Sequence, residues 1–117
     1  MGMLDIIDEY AGTDAANMAY YYSGTMYLKM NDYLNSIKYL SEFSSDDLLL
    51  NSLATGSIGD SFAELNQFDD ALDYYVKASK SNNNYTSPLY LYKAGLIAMK
   101  LNKFNRAEEY FSAIKKD

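Results

Sequence analysis

A four-residue phrase recurs three times along the chain, always at the same distance from a glycine. It reads Met30-Asn31-Asp32-Tyr33, Leu65-Asn66-Gln67-Phe68 and Leu101-Asn102-Lys103-Phe104: an apolar residue, asparagine, a polar residue, an aromatic. Gly24, Gly59 and Gly95 precede the three phrases, spaced by 35 and then 36 residues. Three residues past these glycines stand Tyr27, Phe62 and Ala98; twelve past, Ser36, Ala71 and Ala107; sixteen past, Leu40, Tyr75 and Phe111. Self-similarity at such a period means one supersecondary unit stacked on copies of itself. Each unit must then bury its apolar face against its neighbours.

The unit is clearest between Leu53 and Lys80. Ile58, Phe62 and Leu65 lie at spacings of four and three, as do Ala71, Tyr75 and Ala78, so each set shares one helical face. A short helix does not bury such a stripe alone. The pattern therefore predicts an antiparallel helix hairpin joined by Asn66-Gln67-Phe68-Asp69, with Gly59 leaving room for a close neighbour. Asparagine tolerates the left-handed conformation at a helix end, and the aromatic after it is expected to pack back into its own hairpin. Asp32 and Thr13 or Asp14 are expected N-caps, and the turn Ser44-Ser45-Asp46-Asp47 is expected to cap a helix beginning near Leu48. Thr86-Ser87-Pro88 reads as a helix start with a hydroxyl cap and proline in the first turn.

These residues resemble the tetratricopeptide repeat (TPR) family, whose unit of about 34 residues joins a small-Gly-aromatic first helix to an Ala-aromatic-Ala second helix. Gly59, Phe62, Ala71, Tyr75 and Ala78 match. Ser36 departs from the small Ala of the first copy and Ala98 from the first-helix aromatic of the third; the family's early Trp is Tyr20, Thr55 and Leu91 here. The resemblance implies an all-α fold, a right-handed superhelix of about three hairpins plus one leading helix. The expected organisation is a single domain over 1–117. Residues 3–14 supply the second helix of a truncated repeat, followed by repeats at 15–47, 48–84 and 85–117. Because both end repeats look cut, the chain is expected to be a piece of a longer protein.

Composition narrows the function. Ten basic against sixteen acidic residues give a net charge of −6, the wrong sign for a nucleic-acid binder, whose affinity comes from cations neutralising phosphates. There is no histidine and no cysteine, which removes Ser-His and Cys-His nucleophiles and His-based metal sites. Ser112-Ala113-Ile114-Lys115 has a Ser-x-x-Lys spacing without its partner motifs. Asp69, Asp70 and Asp73 lack the loop that calcium prefers and suit the first turn of a solvated helix. No enzyme activity, cofactor or metal is expected.

The resemblance implies a non-enzymatic interaction scaffold that takes a peptide or helix of a partner protein in the groove lined by the first helix of each hairpin. By the family's register that groove is formed by Tyr21, Thr25 and Leu28, then Gly56, Asp60, Ala63 and Glu64, then Tyr92, Leu96, Met99 and Lys100. The Lys, Asn and Arg that let some family members grip a chaperone's C-terminal carboxylate are missing from these places. The alternative is an assembly module that forms a homodimer through its open ends, Met3, Ile7 and Tyr10 at one side and Phe111 and Ile114 at the other. The stretch LDIIDEYAGTDAANMAYYYSG is similar to bacterial envelope proteins of this family, some of which assist the Sec translocon. That likeness implies the periplasmic face of the inner membrane, through a tether outside this chain, with the cytoplasm as the alternative.

Overall fold

A computed structural model describes residues 2–9, 12–81 and 84–114. Among them the chain forms seven helices and no strand: α1 (Met3–Glu9), α2 (Asp14–Lys29), α3 (Tyr33–Glu42), α4 (Leu48–Glu64), α5 (Phe68–Ser79), α6 (Ser87–Lys100) and α7 (Phe104–Ser112). Each packs on the next in sequence, and α2 also touches α4. The result is an elongated stack, 48 × 29 × 18 Å. Tyr10, expected to close the first helix face, and Lys115 and Lys116 lie outside the described residues. In the third repeat, expected over 85–117, the last helix ends at Ser112.

The hairpin turns are three copies of one device. Asn31, Asn66 and Asn102 have positive φ values of 62°, 60° and 61°. In each turn the asparagine N–H donates to the carbonyl three residues back, and the next N–H reaches back five: Asn66 to Ala63 and Gln67 to Phe62, for example. This is the Schellman arrangement, which satisfies helix-end carbonyls that would otherwise be orphaned. At the other helix ends, Thr13, Asp32 and Asp47 accept from Ala16, Asn35 and Leu49/Leu50 N–H groups. Thr86 differs from expectation. It occupies the N-cap position of α6 without a side-chain capping bond; it is buried and its Oγ1 lies 3.5 Å from Ser81 Oγ.

Inside each hairpin the glycine receives the residue sixteen places on. A Cβ on Gly24 would strike Leu40, on Gly59 the Tyr75 ring at 2.8 Å, and on Gly95 the Phe111 ring. The departures from the repeat pattern are accommodated by the same close approach. Ser36 is fully buried, and its hydroxyl donates to the Gly24 carbonyl at 2.8 Å. The core divides into two clusters. One centres on Leu40, Phe43, Ala54 and Ile58, the other on Ala71, Leu72, Tyr75, Tyr90, Ala94 and Ala98.

Two of the aromatics after the asparagines also reach the following hairpin, although the Tyr33 hydroxyl donates to Asn31 Oδ1 of its own turn at 3.1 Å. The Tyr33 hydroxyl lies 3.5 Å from a Glu64 carboxylate oxygen, and Lys100 Nζ stands 4.8 Å from the centre of the Phe68 ring. Phe104 is 60 % exposed, because no following hairpin covers it among the described residues.

Replacing Asn66 tests the turn. Asn66→Gly should leave stability within about 0.5 kcal/mol, whereas Asn66→Val should cost about 1–2 kcal/mol, since a β-branched residue is strained at positive φ. Urea denaturation of the two variants measures this, and equal stabilities would show that the left-handed turn carries no such constraint.

Candidate functional site

The first helices α2, α4 and α6 bring part of the expected groove together. Leu28 from α2 and Asp60, Ala63 and Glu64 from α4 line one open pocket of about 330 Å³, with Asn31, Tyr33, Tyr75 and Lys93 completing its wall. Asp60 is its centre. It accepts from the Tyr75 hydroxyl at 2.5 Å and from Lys93 Nζ at 2.9 Å. The Lys93–Asp60 pair therefore ties α6 to α4. With side chains 33 % and 29 % exposed, the pair contributes at most about 1 kcal/mol of stability, but it neutralises the acidic floor. Lys93 Nζ also stands 5.8 Å from the centres of both the Tyr75 and Tyr90 rings. Glu64 is exposed, with the Tyr33 hydroxyl as its hydrogen-bond neighbour.

The remaining expected residues lie apart from this pocket. Gly56 is buried, and a Cβ there would fall on the Tyr90 ring. It presents no floor to a ligand; it lets α6 approach α4. Tyr21 is half-buried, its ring 5.1 Å from that of Phe43. Thr25 donates its hydroxyl to the Tyr22 carbonyl. Tyr92, Leu96, Met99 and Lys100 are exposed on α6, and the Tyr92 ring lies 6.2 Å from Phe111. Together with Leu89, also exposed, Tyr92, Leu96 and Met99 form a stripe at spacings of three, four and three. These four side chains form an apolar stripe along one exposed helix face.

Sequence reasoning missed Lys93, Tyr90 and Tyr33 at this surface. A signal existed for one of them. Asp60 and Lys93 have opposite charges 33 residues apart, close to one repeat, and a repeat's spacing sets residues on adjacent first helices.

Burial raises the Tyr75 phenol well above its ordinary value, and the hydrogen bond to Asp60 and that carboxylate's charge add to the shift. Tyr90 is raised by burial first, then by Asp60 and Tyr21. Both residues are under 5 % exposed.

The TPR family model matches residues 57–117, more than half of the chain, and the chain belongs to the tetratricopeptide repeat family. Repeats of this family generally serve as protein–protein interaction modules and are typically non-enzymatic scaffolds. No curated protein matches the chain. Among the described residues, no group of three or more His, Cys, Asp or Glu side chains is placed to hold a metal ion. Lys115 of the Ser-x-x-Lys spacing lies outside them.

The two buried phenols make stability depend on alkaline pH. Each holds its proton more tightly in the folded chain than in the unfolded one, where tyrosine titrates near pH ~10. The stability this provides is complete below that value. It falls as pH rises further, by up to about 1.4 kcal/mol per pH unit for each group. Tyr75→Phe should cost about 1 kcal/mol near neutral pH, through the lost bond to Asp60, and should flatten the alkaline decline. Urea denaturation at about pH 8 and about pH 11 measures both effects. Equal alkaline losses in the two chains would place the effect outside Tyr75.

Proposed function

We infer that the chain binds a peptide or helix of a partner protein along the face formed by α2, α4 and α6. The observation that carries this reading is the exposed stripe Leu89, Tyr92, Leu96 and Met99 on α6, on the same helix that supplies Lys93 to the Asp60 pocket. Tyrosine and methionine bury large contact area and adapt to an apolar partner surface. Asp60 is already engaged by Lys93 and Tyr75, so a cationic group of the partner meets Glu64 instead. The partner is thus an apolar segment with a basic residue, bound by packing on α6 and by one charge contact at α4. Holding Asp60 in a preformed network lowers the ordering cost of binding.

The test uses peptides selected by display against the whole chain. A Leu96→Ala, Met99→Ala double variant should bind the selected peptides at least about tenfold more weakly, a loss of about 1.4 kcal/mol. Its melting temperature should stay within a few degrees, as expected for exposed positions. Glu64→Lys should weaken only those peptides that carry a basic residue. Selected peptides that bind the double variant as well as the original chain would sink the reading. Tyr21→Ala is a different case: with its ring on Phe43, it should lower stability.

A further inference from the structure

Two positions of the repeat meet at each seam between hairpins. The turn aromatics Tyr33 and Phe68 hold one, nine residues past Gly24 and Gly59. Glu64 and Lys100 hold the other, five residues past Gly59 and Gly95. Between the second and third hairpins they meet as ring and cation: Lys100 Nζ stands 4.8 Å from the centre of the Phe68 ring. Between the first and second they meet as phenol and carboxylate: the Tyr33 hydroxyl lies 3.5 Å from Glu64 Oε2. Among the described residues no cation stands over the Tyr33 ring and none pairs with Glu64. The second seam supplies its positive charge from α6; the first seam has a carboxylate in that place.

The same place is hollow. Tyr33 and Glu64 belong to the lining of the 330 Å³ pocket, which lies inside the stack rather than at either end of it. Its charges do not balance, since Asp60 and Glu64 face a single ammonium, that of Lys93. Its hydrogen bonds do not balance either. The Tyr75 hydroxyl and Lys93 both donate to Asp60 Oδ1, and no group among the described residues donates to Oδ2. The Tyr33 hydroxyl has one proton for two acceptors, Asn31 Oδ1 at 3.1 Å and Glu64 Oε2 at 3.5 Å. The pocket therefore offers surplus acceptors, one uncompensated negative charge, an aromatic ring without a cation, and an apolar wall from Leu28 and Ala63. A guanidinium answers all of these. It is a planar fork of N–H donors, it keeps its charge, its weakly hydrated face stacks on rings, and its stem packs on apolar side chains. A lysine ammonium is a strongly hydrated point charge with fewer donors and no plane to stack.

We propose that this pocket takes an arginine side chain of the partner segment, its guanidinium against the Tyr33 ring and paired with Glu64. The proposal rests on the reading that the α2–α4–α6 face binds such a segment, and it narrows the segment's basic residue to arginine. The chain's own single arginine, Arg106, does not fill the place: it lies on α7, which packs on α6 and lines none of this pocket.

The probe is N-acetyl-arginine amide, titrated into the full chain and followed by backbone amide shifts in NMR. Saturable shifts are expected at residues 31–33 and 60–64, with a dissociation constant of about 1–10 mM. The lysine and citrulline counterparts should bind at least about fivefold more weakly; citrulline keeps the shape of arginine and removes its charge. Glu64→Gln, at an exposed position, should abolish the preference for arginine over citrulline. Tyr33→Leu should weaken arginine binding, and Tyr33→Phe, which keeps the ring, should restore most of it. Absence of saturable shifts up to about 50 mM would overturn the proposal. So would equal binding of the three compounds, or an arginine preference that survives Glu64→Gln. A concentration-dependent dimer lost on Arg106→Ala would overturn it in favour of a second copy. The display-selected peptides separate this proposal from the reading beneath it. Changing their arginine to lysine should weaken binding to the original chain at least about fivefold, and should make no difference with Glu64→Gln. Peptides that respond to the Leu96→Ala, Met99→Ala double variant but tolerate lysine for arginine would sink the proposal and leave the reading of the face standing. Peptides that ignore the double variant would sink that reading, and the titration alone would then decide whether the pocket takes arginine.

Discussion

Each hairpin closes through an absent Cβ. Gly24, Gly59 and Gly95 let the ring or branched side chain sixteen residues on come down onto the backbone of the first helix. Close-packed interiors tolerate no void of methyl size without cost and no overlap of the same size, so this one contact sets the distance between the helices of every pair. The asparagine turns depend on it. A chain that must reverse within four residues between closely packed helices needs the tight left-handed corner that Asn31, Asn66 and Asn102 provide.

Once the hairpins are fixed, the seams between them decide what is available to a partner. The seam from α4 to α6 is consumed by internal contacts: Gly56 under Tyr90, and Asp60 with Lys93 and Tyr75. These contacts tie α4 to α5 and α6 in the middle of the stack, and Glu64 is exposed beside them. At α6 the same positions of the repeat hold Tyr92 and Leu96, which are exposed. One register of the repeat is thus internal cement in the second hairpin and open surface in the third.

Much of the architecture was legible in the chain. The glycine period, the Ala71–Tyr75–Ala78 spacing and the three asparagines predicted the helix pairs and the handedness of φ at the turns, because those features answer local needs of backbone and face. Asp32 was legible as a cap for the same reason, whereas of the turn Ser44-Ser45-Asp46-Asp47 only the structure shows that Asp47 is the cap. The site was legible only in part. Leu28, Asp60, Ala63 and Glu64 do share one pocket, but Gly56 reads alike as groove floor or helix contact until the size of the residue opposite it is known. The aromatics Tyr33 and Phe68 were expected inside their own hairpins and also reach the next one. A period gives the position of a residue within its unit and leaves open which neighbour it touches.

The sequence by itself determined the unit, its phase and its turns, since these follow from spacings of three, four and about 34 residues and from which residues accept positive φ. The tertiary structure alone decided which side chains bridge consecutive hairpins, that Asp60 is neutralised, and that Glu64 meets Tyr33 where Lys100 meets Phe68. Those outcomes depend on how far and at what angle one hairpin lies on the next. That geometry is set by the sizes of residues a whole repeat apart, such as Gly56 and Tyr90, acting together.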